Sequence, residues 1–221
     1  MEEMGEVYAQ MGAFATALSL DRMNSGTMEG FYATEVSLIF AVGGAMFAAM
    51  LGICMLAKEE EGHTAEFLYT LPLGRTDIVA WKYAAMTALI LLFNGVCICW
   101  ELLGFACVGE RAPLKEFWLF HGAQLLMQLE IGSLSFLASA FCRKKQVGAA
   151  LGFVILLYGM DLMCRIVPDI ENLKYVTPYY FSNAADIFIN GNLDGKMVGI
   201  SVAVTVLCGG GAAIFYNGKD F

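Results

Sequence analysis

The stretch FYATEVSLIFAVGGAMFAAMLGICMLA, residues 31–57, decides the class of fold. It contains one charged residue, Glu35, in a run that is long enough to cross the hydrocarbon core of a bilayer, which is about 30 Å thick. Because lipid offers the backbone no hydrogen-bond partners, a run in that environment must be helical. The stretch therefore predicts a transmembrane helix in an all-α integral membrane protein.

Four more apolar runs follow this one, which gives a polytopic bundle of about five transmembrane helices. The predicted spans cover residues 31–57, 78–108, 117–142, 147–167 and 197–216. The composition agrees, since 58% of the residues are hydrophobic and 15% are charged, whereas soluble domains have about 45–50% and about 25%. We expect residues 1–30 to form an extracellular amphipathic segment and residues 31–221 to form the transmembrane domain.

The charge and the reactive side chains exclude several classes of function. A net charge of −8 argues against nucleic acid as a partner, because nucleic-acid binding needs basic patches. The seven cysteines lie in or beside apolar runs and are predicted to be small buried hydrophobes, so no metal site is expected. The two histidines, His63 and His121, lie in different regions, and no G-x-S-x-G or H-E-x-x-H motif occurs. We therefore expect no catalytic residues and no enzyme.

The short loop Arg143-Lys144-Lys145 sets the predicted orientation. Positive charge in short loops marks the cytoplasmic side of a membrane. With five spans, this placement makes the 58–77 loop and the C-terminus cytoplasmic, and it leaves the N-terminus and the 168–196 loop outside.

The 58–77 loop contains the most informative motif, KEEEGHTAEFLYTLPLGR over residues 58–75. It predicts a short helix outside the membrane, started by Thr64 and ended by Pro72 and Gly74, with Thr76 capping the next span. Its apolar face is formed by Phe67, Leu68 and Leu71. Two interpretations stay open: a connector whose apolar face rests on the lipid interface, and a docking element for a protein partner.

This motif resembles the signature of ABC-2 type permeases, the membrane subunits of ATP-binding cassette transporters. Three other segments are similar to that family in the same order along the chain: Glu29-Gly30-Phe31, Thr177-Pro178-Tyr179-Tyr180-Phe181 and Phe215–Phe221. The resemblance implies that the loop carries a coupling helix which contacts an ABC ATPase. The residues assigned to this contact are Glu60, Glu61, Thr64, Glu66, Phe67, Leu68, Leu71, Pro72 and Arg75.

The resemblance also implies partners and a location. The chain has no phosphate-binding G-x-x-x-x-G-K-[ST] loop, so ATP and Mg²⁺ are expected on a separate nucleotide-binding subunit and no cofactor is expected on this chain. A second permease subunit, the plasma membrane and export are implied in the same way. The family commonly has six transmembrane helices, whereas five are counted here, and residues 1–30 look like the external loop after the first of the six. Three explanations stay open: a fragment, a late start codon and a genuinely shortened permease.

Polar residues inside the spans are the candidates for a translocation path, because they are costly in lipid. They are His121, Gln124, Gln128, Glu130, Asn94 and Glu101. Hydrogen bonding between helices is the interpretation favoured over substrate contact. In the fourth span, Asp161 and Arg165 have the i, i+4 spacing of an ion pair.

Two other functions are compatible with the sequence. A membrane scaffold or sensor would use the 58–77 loop to recruit a partner without transporting anything. A secondary transporter would relay protons through Glu101 and Glu130, although no inverted repeat is apparent among the five spans.

Overall fold

The computed structural model describes residues 27–62, 64 and 74–218, together with Gly12. This part of the chain is all-helical. Its helices are α1 (Met28–Glu61), α2 (Arg75–Val108), α3 (Leu114–Phe141), α4 (Val147–Ile166), α5 (Ala184–Asn190) and α6 (Gly195–Asn217). A 3₁₀ helix, Pro168–Tyr175, follows α4. The predicted fold class is confirmed, and the five long helices lie within a few residues of the five predicted spans.

Four of the five long helices, α1, α2, α4 and α6, are long and apolar enough to cross a membrane. The third predicted span, α3, has 28 residues but falls outside this group, because its polar residues lower its mean hydropathy. The packing explains why α3 tolerates them. It is the central helix of the bundle and packs against both α1 and α6, so its polar side chains face other helices instead of lipid.

Small residues bring α1 and α3 into close contact. A Cβ atom on Gly52 would lie 2.3 Å from the carbonyl oxygen of Gly132, and one on Gly44 would lie 2.3 Å from Nε2 of Gln128. Ala48, between these two glycines, is completely buried. The sequence Gly44-x-x-x-Ala48-x-x-x-Gly52 therefore forms the α1 face that crosses α3.

The first helix contains a π-helical turn over Tyr32–Val36. The turn places Tyr32, Ala33 and Thr34 in the interior, and Tyr32 is 1% exposed. Such turns inside α-helices occur frequently at functional sites, and this one points a tyrosine hydroxyl at α2 and α3.

Contacts between loops show which helix ends share one end of the bundle. Lys145, between α3 and α4, pairs with Glu61 at the end of α1. Arg75, at the start of α2, donates to the carbonyl oxygen of Asn217, at the end of α6. We call this the basic-loop end, after the Arg143–Lys145 loop. The contacts agree with the predicted grouping of the 58–77 loop, the basic loop and the end of the last span, while the orientation in the membrane stays a prediction.

The predicted external loop, 168–196, is only partly a surface loop. Within it, residues 177–182 descend into the bundle, where Thr177, Tyr179 and Ser182 are buried. Thr177 donates to the carbonyl oxygen of Leu157, which lies nine residues before the end of α4 and hence about 14 Å inside it. Irregular backbone at that depth is stable only where protein or water covers it. We call residues 177–182 the inserted segment.

Of the seven cysteines, Cys164 and Cys208 are buried as predicted, while Cys54, Cys97 and Cys142 are only partly buried. Cys99 and Cys107 on α2 are exposed instead of buried. The reason is that α2 lies at the edge of the bundle and turns much of its surface outward.

Candidate functional site

Ion pairs tie the helices together at the basic-loop end, where the described ends of the predicted coupling loop lie. Lys82 on α2 donates to a carboxylate oxygen of Glu59 at 2.8 Å and to the carbonyl oxygen of Met55 at 2.7 Å, both on α1. Its side chain is 16% exposed, so solvent screens this pair less than a surface pair. The helices before and after the coupling loop in the sequence, α1 and α2, are thus joined directly to each other.

A second set of contacts joins α2 to α6 at this end. The amide of Asn217 donates to the hydroxyl of Thr76 at 2.9 Å, and Arg75 donates to the carbonyl oxygen of Asn217 at 3.3 Å. The prediction that Thr76 caps this helix is wrong. Gly74 is the N-cap, and its N–H is bound by the carboxylate of Asp77, since an acidic side chain at the third helical position reaches back to the cap.

Four of the predicted coupling residues are described. Glu61 pairs with Lys145 at 3.4 Å, and the hydroxyl of Thr64 donates to the carboxylate of Glu59 at 2.7 Å. Glu60 and Arg75 lie at the same end, on α1 and α2. The contact of these residues with an ATPase stays a prediction. The other five positions lie outside the described residues: Glu66, Phe67, Leu68, Leu71 and Pro72.

The predicted path residues lie inside the bundle, and each bonds to another element. A carboxylate oxygen of Glu101 accepts from the hydroxyl of Tyr32 at 2.5 Å and lies 2.9 Å from Nε2 of His121. The rings of Phe40, Phe117 and others surround the imidazole. Three helices, α1, α2 and α3, thus meet in one polar cluster within an aromatic environment.

Two further pairs of path residues join α3 to its neighbouring helices. Asn94 on α2 donates to Gln128 on α3 at 2.6 Å. Glu130 on α3 accepts from Ser201 on α6 at 2.6 Å. These bonds are interhelical, and each gives a polar group that would be costly against lipid one partner. Within the described residues, Oδ1 of Asn94 and Nε2 of Gln128 have no hydrogen-bond partner.

Gln124 joins α3 to the inserted segment and borders a small polar cavity. Its amide nitrogen donates to the carbonyl oxygen of Ser182 at 2.9 Å. The cavity has a volume of ≈ 40 Å³ and is lined by Gln124, Asp161 and Tyr179 among others. Within the described residues, Oε1 of Gln124 and the hydroxyl of Tyr179 have no hydrogen-bond partner. The volume suffices for one or two water molecules that would bridge these groups.

An arginine fixes the inserted segment to α4. Arg165 pairs with Asp161 at 3.0 Å, which confirms the predicted ion pair, and with Asp186 on α5 at 2.8 Å. It also donates to the carbonyl oxygen of Tyr180, and its guanidinium lies over the ring of that tyrosine. Since Arg165 and Asp161 are 6% and 4% exposed, neither charge is available to a large ligand in this conformation.

Sequence reasoning missed several partners in these clusters, including Tyr32, Ser182 and Ser201. A tyrosine at the end of an apolar run is usually an interfacial anchor, and a π-turn leaves no periodic signal that would place Tyr32 inward. Ser201 lies in a long apolar run, where a lone serine is common. Ser182 follows the segment Thr177–Phe181, which resembles the family pattern. The resemblance does not indicate how deep in the bundle Ser182 lies.

The bundle of apolar helices around a polar central helix defines a multi-pass membrane protein. Within that class, a protein-family profile described as ABC-2 family transporter protein matches residues 3–188, which is most of the chain. The chain therefore belongs to the ABC-2 transporter family, as its motifs indicated. Membership implies a permease in a membrane and an ABC ATPase partner. Comparisons with curated proteins and with solved structures gave no match.

Proposed function

We propose that the chain is the transmembrane permease subunit of an ABC exporter in the plasma membrane. It works with a second permease subunit, and ATP and Mg²⁺ are bound by a separate ATPase. The observation that carries this proposal is the convergence at the basic-loop end. There, Glu61 and Arg75, at the two described ends of the 58–77 loop, contact Lys145 of the basic loop and Asn217 at the end of α6. By the positive-inside rule this end is cytoplasmic.

The contacts at this end supply a route for mechanical coupling. Closure of the ATPase dimer would displace residues 65–73, and the bonds from Lys82 to Glu59 and Met55 make α1 and α2 move together. Because α1 crosses α3 at Gly52 with almost no space between the backbones, a displacement of α1 shifts the central helix. The interhelical pairs of Asn94, Glu101 and Glu130 would then exchange partners as the path opens.

Co-purification tests the proposal. The tagged chain is extracted from its native membrane in mild detergent, and proteins that contain a Walker motif are identified by mass spectrometry. An ATPase should accompany the wild type and be lost from Phe67→Asp and Leu71→Asp. Val176→Asp is the matched control, since Val176 is 57% exposed and lies on the 168–196 side, away from the basic-loop end. Retention of the ATPase by both loop variants, or its absence from the wild type, would contradict the proposal. A different protein bound through the loop would favour the scaffold or sensor instead.

A further inference from the structure

The small polar cavity beside Gln124 lies between α1, α3, α4 and the inserted segment, and its volume is ≈ 40 Å³. Its lining includes Ser37, within the first ten residues of α1, and Asp161, five residues before the end of α4. The cavity is therefore near the end of the bundle opposite the basic-loop end, where a charged ligand can arrive without crossing the hydrocarbon core. On the side where α1 meets α4, the lining residues Leu38 and Leu162 are only half-buried, so a ligand would enter there.

Buried oxygen atoms face this cavity without a donor. Gln124 and Tyr179 are 1% and 3% exposed, and within the described residues Oε1 of Gln124 and the hydroxyl of Tyr179 have no hydrogen-bond partner. Nε2 of Gln124 is bound to Ser182, so the amide cannot turn over to satisfy Oε1. The hydroxyls of Thr34 and Ser37 donate to carbonyl oxygens of their own helix, which leaves their lone pairs for the cavity. Because unpaired buried oxygens are costly, the cavity calls for a ligand that donates hydrogen bonds.

The charge that faces the cavity is negative. Asp161 belongs to the lining, whereas its partner Arg165 does not. The guanidinium of Arg165 also bonds to Asp186 and to the carbonyl oxygen of Tyr180, and neither of these residues lines the cavity. The negative end of the ion pair is thus the end nearer to the cavity, which favours a positively charged ligand.

Aromatic rings complete the lining. The rings of Tyr158 and Tyr179 have centroids 5.4 Å apart and lie at 68° to each other, and Phe120 is a further lining residue. The faces of aromatic rings attract ammonium groups. The rings, the carboxylate of Asp161 and the unpaired oxygens therefore favour the same kind of ligand.

We propose that this cavity binds the primary ammonium group of a cationic ligand. The three N–H donors of the ammonium group meet the oxygens of Gln124, Tyr179 and Ser37, and the carboxylate of Asp161 offsets its charge. A primary ammonium group is about as large as a water molecule, so the volume suffices for it. The ammonium group can belong to a free amine or to a phosphatidylethanolamine headgroup. One chain forms the whole site, so its test is independent of the ATPase and of the proposed function.

Thermal unfolding of the full chain in phosphatidylcholine nanodiscs tests the proposal, with ethylammonium chloride as the probe. Ethylammonium should raise the unfolding midpoint of the wild type, because a ligand of the folded state stabilises it. Tetramethylammonium, which has the same charge but no N–H group, and sodium should not raise it at the same ionic strength. Tyr179→Phe removes one unpaired oxygen and should weaken the apparent affinity for ethylammonium about tenfold. Tyr175→Phe is the matched control, since Tyr175 is 42% exposed and lies outside the lining.

Saturation-transfer NMR of ethylammonium is a second readout, which does not depend on the stability of a variant. The signal should be present with the wild type and with Tyr175→Phe, and it should be lost with Tyr179→Phe. Phosphatidylethanolamine in the nanodiscs should abolish the signal if a lipid headgroup is the natural ligand, and it should leave the signal unchanged if a free amine is. Equal midpoints with ethylammonium and tetramethylammonium, or unchanged affinity in Tyr179→Phe, would overturn the proposal, since the cavity would then hold water alone.

Discussion

Nε2 of His121 on α3 lies 2.9 Å from a carboxylate oxygen of Glu101 on α2, and the hydroxyl of Tyr32 on α1 donates to the same oxygen at 2.5 Å. His121 is 3% exposed and Tyr32 is 1% exposed. A single carboxylate therefore holds three helices together in a place from which water is almost excluded.

Removal of this carboxylate should destabilise the bundle. In Glu101→Ala, the buried groups of Tyr32 and His121 lose a charged acceptor, and the free energy of unfolding should fall by about 1.5–3 kcal/mol. Equilibrium unfolding in mixed micelles containing SDS measures this change. Glu110→Ala is the control, because Glu110 is exposed in the loop after α2. Equal free energies of unfolding for the two variants would show that the Tyr32–Glu101–His121 cluster does not stabilise the bundle.

The α1–α3 crossing should not tolerate a side chain at Gly52. In Gly52→Val, the new atoms would overlap the backbone of Gly132, so the helices must separate at a cost of about 2 kcal/mol or more. Gly43→Val places the same side chain on the exposed surface of α1, where a Cβ meets nothing within 4 Å. The midpoint of thermal unfolding in detergent should drop for Gly52→Val alone, and similar midpoints would refute the close crossing.

The stability lost by breaking the Arg165–Asp161 ion pair should be restored by a second substitution. Arg165→Met leaves the buried carboxylate of Asp161 unpaired and should cost about 3–5 kcal/mol. The double variant Arg165→Met, Asp161→Leu removes both buried charges and should recover most of that stability, because Asp186 is the more exposed partner at 24%. Unfolding in mixed micelles measures both variants. A double variant no more stable than Arg165→Met would indicate that the contacts to Asp186 and Tyr180 carry the stabilisation.

Two tryptophans on α2 should mark the two faces of the membrane. Trp81 and Trp100 are 74% and 77% exposed, and their separation along the helix corresponds to about 29 Å, close to the thickness of the hydrocarbon core. In bilayers of brominated lipids, single-tryptophan variants should be quenched best by bromine near the headgroup at both positions. Leu92→Trp, placed midway on the exposed surface of α2, should be quenched best by bromine near the chain ends. Deep quenching of Trp81 would contradict a membrane boundary at this position of α2.

The sequence was sufficient to predict where the long helices lie and which of their ends share one end of the bundle. Apolar runs such as 31–57 and the basic loop Arg143–Lys145 are strong local signals. It could not give the depth of residues 177–182, since a segment of tyrosines and a proline looks the same at the interface and inside a bundle. The sequence also indicated Glu101 and His121 as candidates for the translocation path, but it did not indicate that Tyr32 bonds to both of them. Tyr32 lies in a π-turn, which sequence periodicity does not report.

Site-specific photo-crosslinking tests most directly the claim that the basic-loop end receives the ATPase. A benzophenone amino acid is placed at Thr64, beside the predicted coupling residues, and separately at Asn192, which is exposed in the turn between α5 and α6 on the 168–196 side. In native membranes, position 64 should crosslink to a protein that contains a Walker motif and position 192 should not. Crosslinking of the ATPase from position 192, or from neither position when the ATPase is present, would contradict the proposed arrangement.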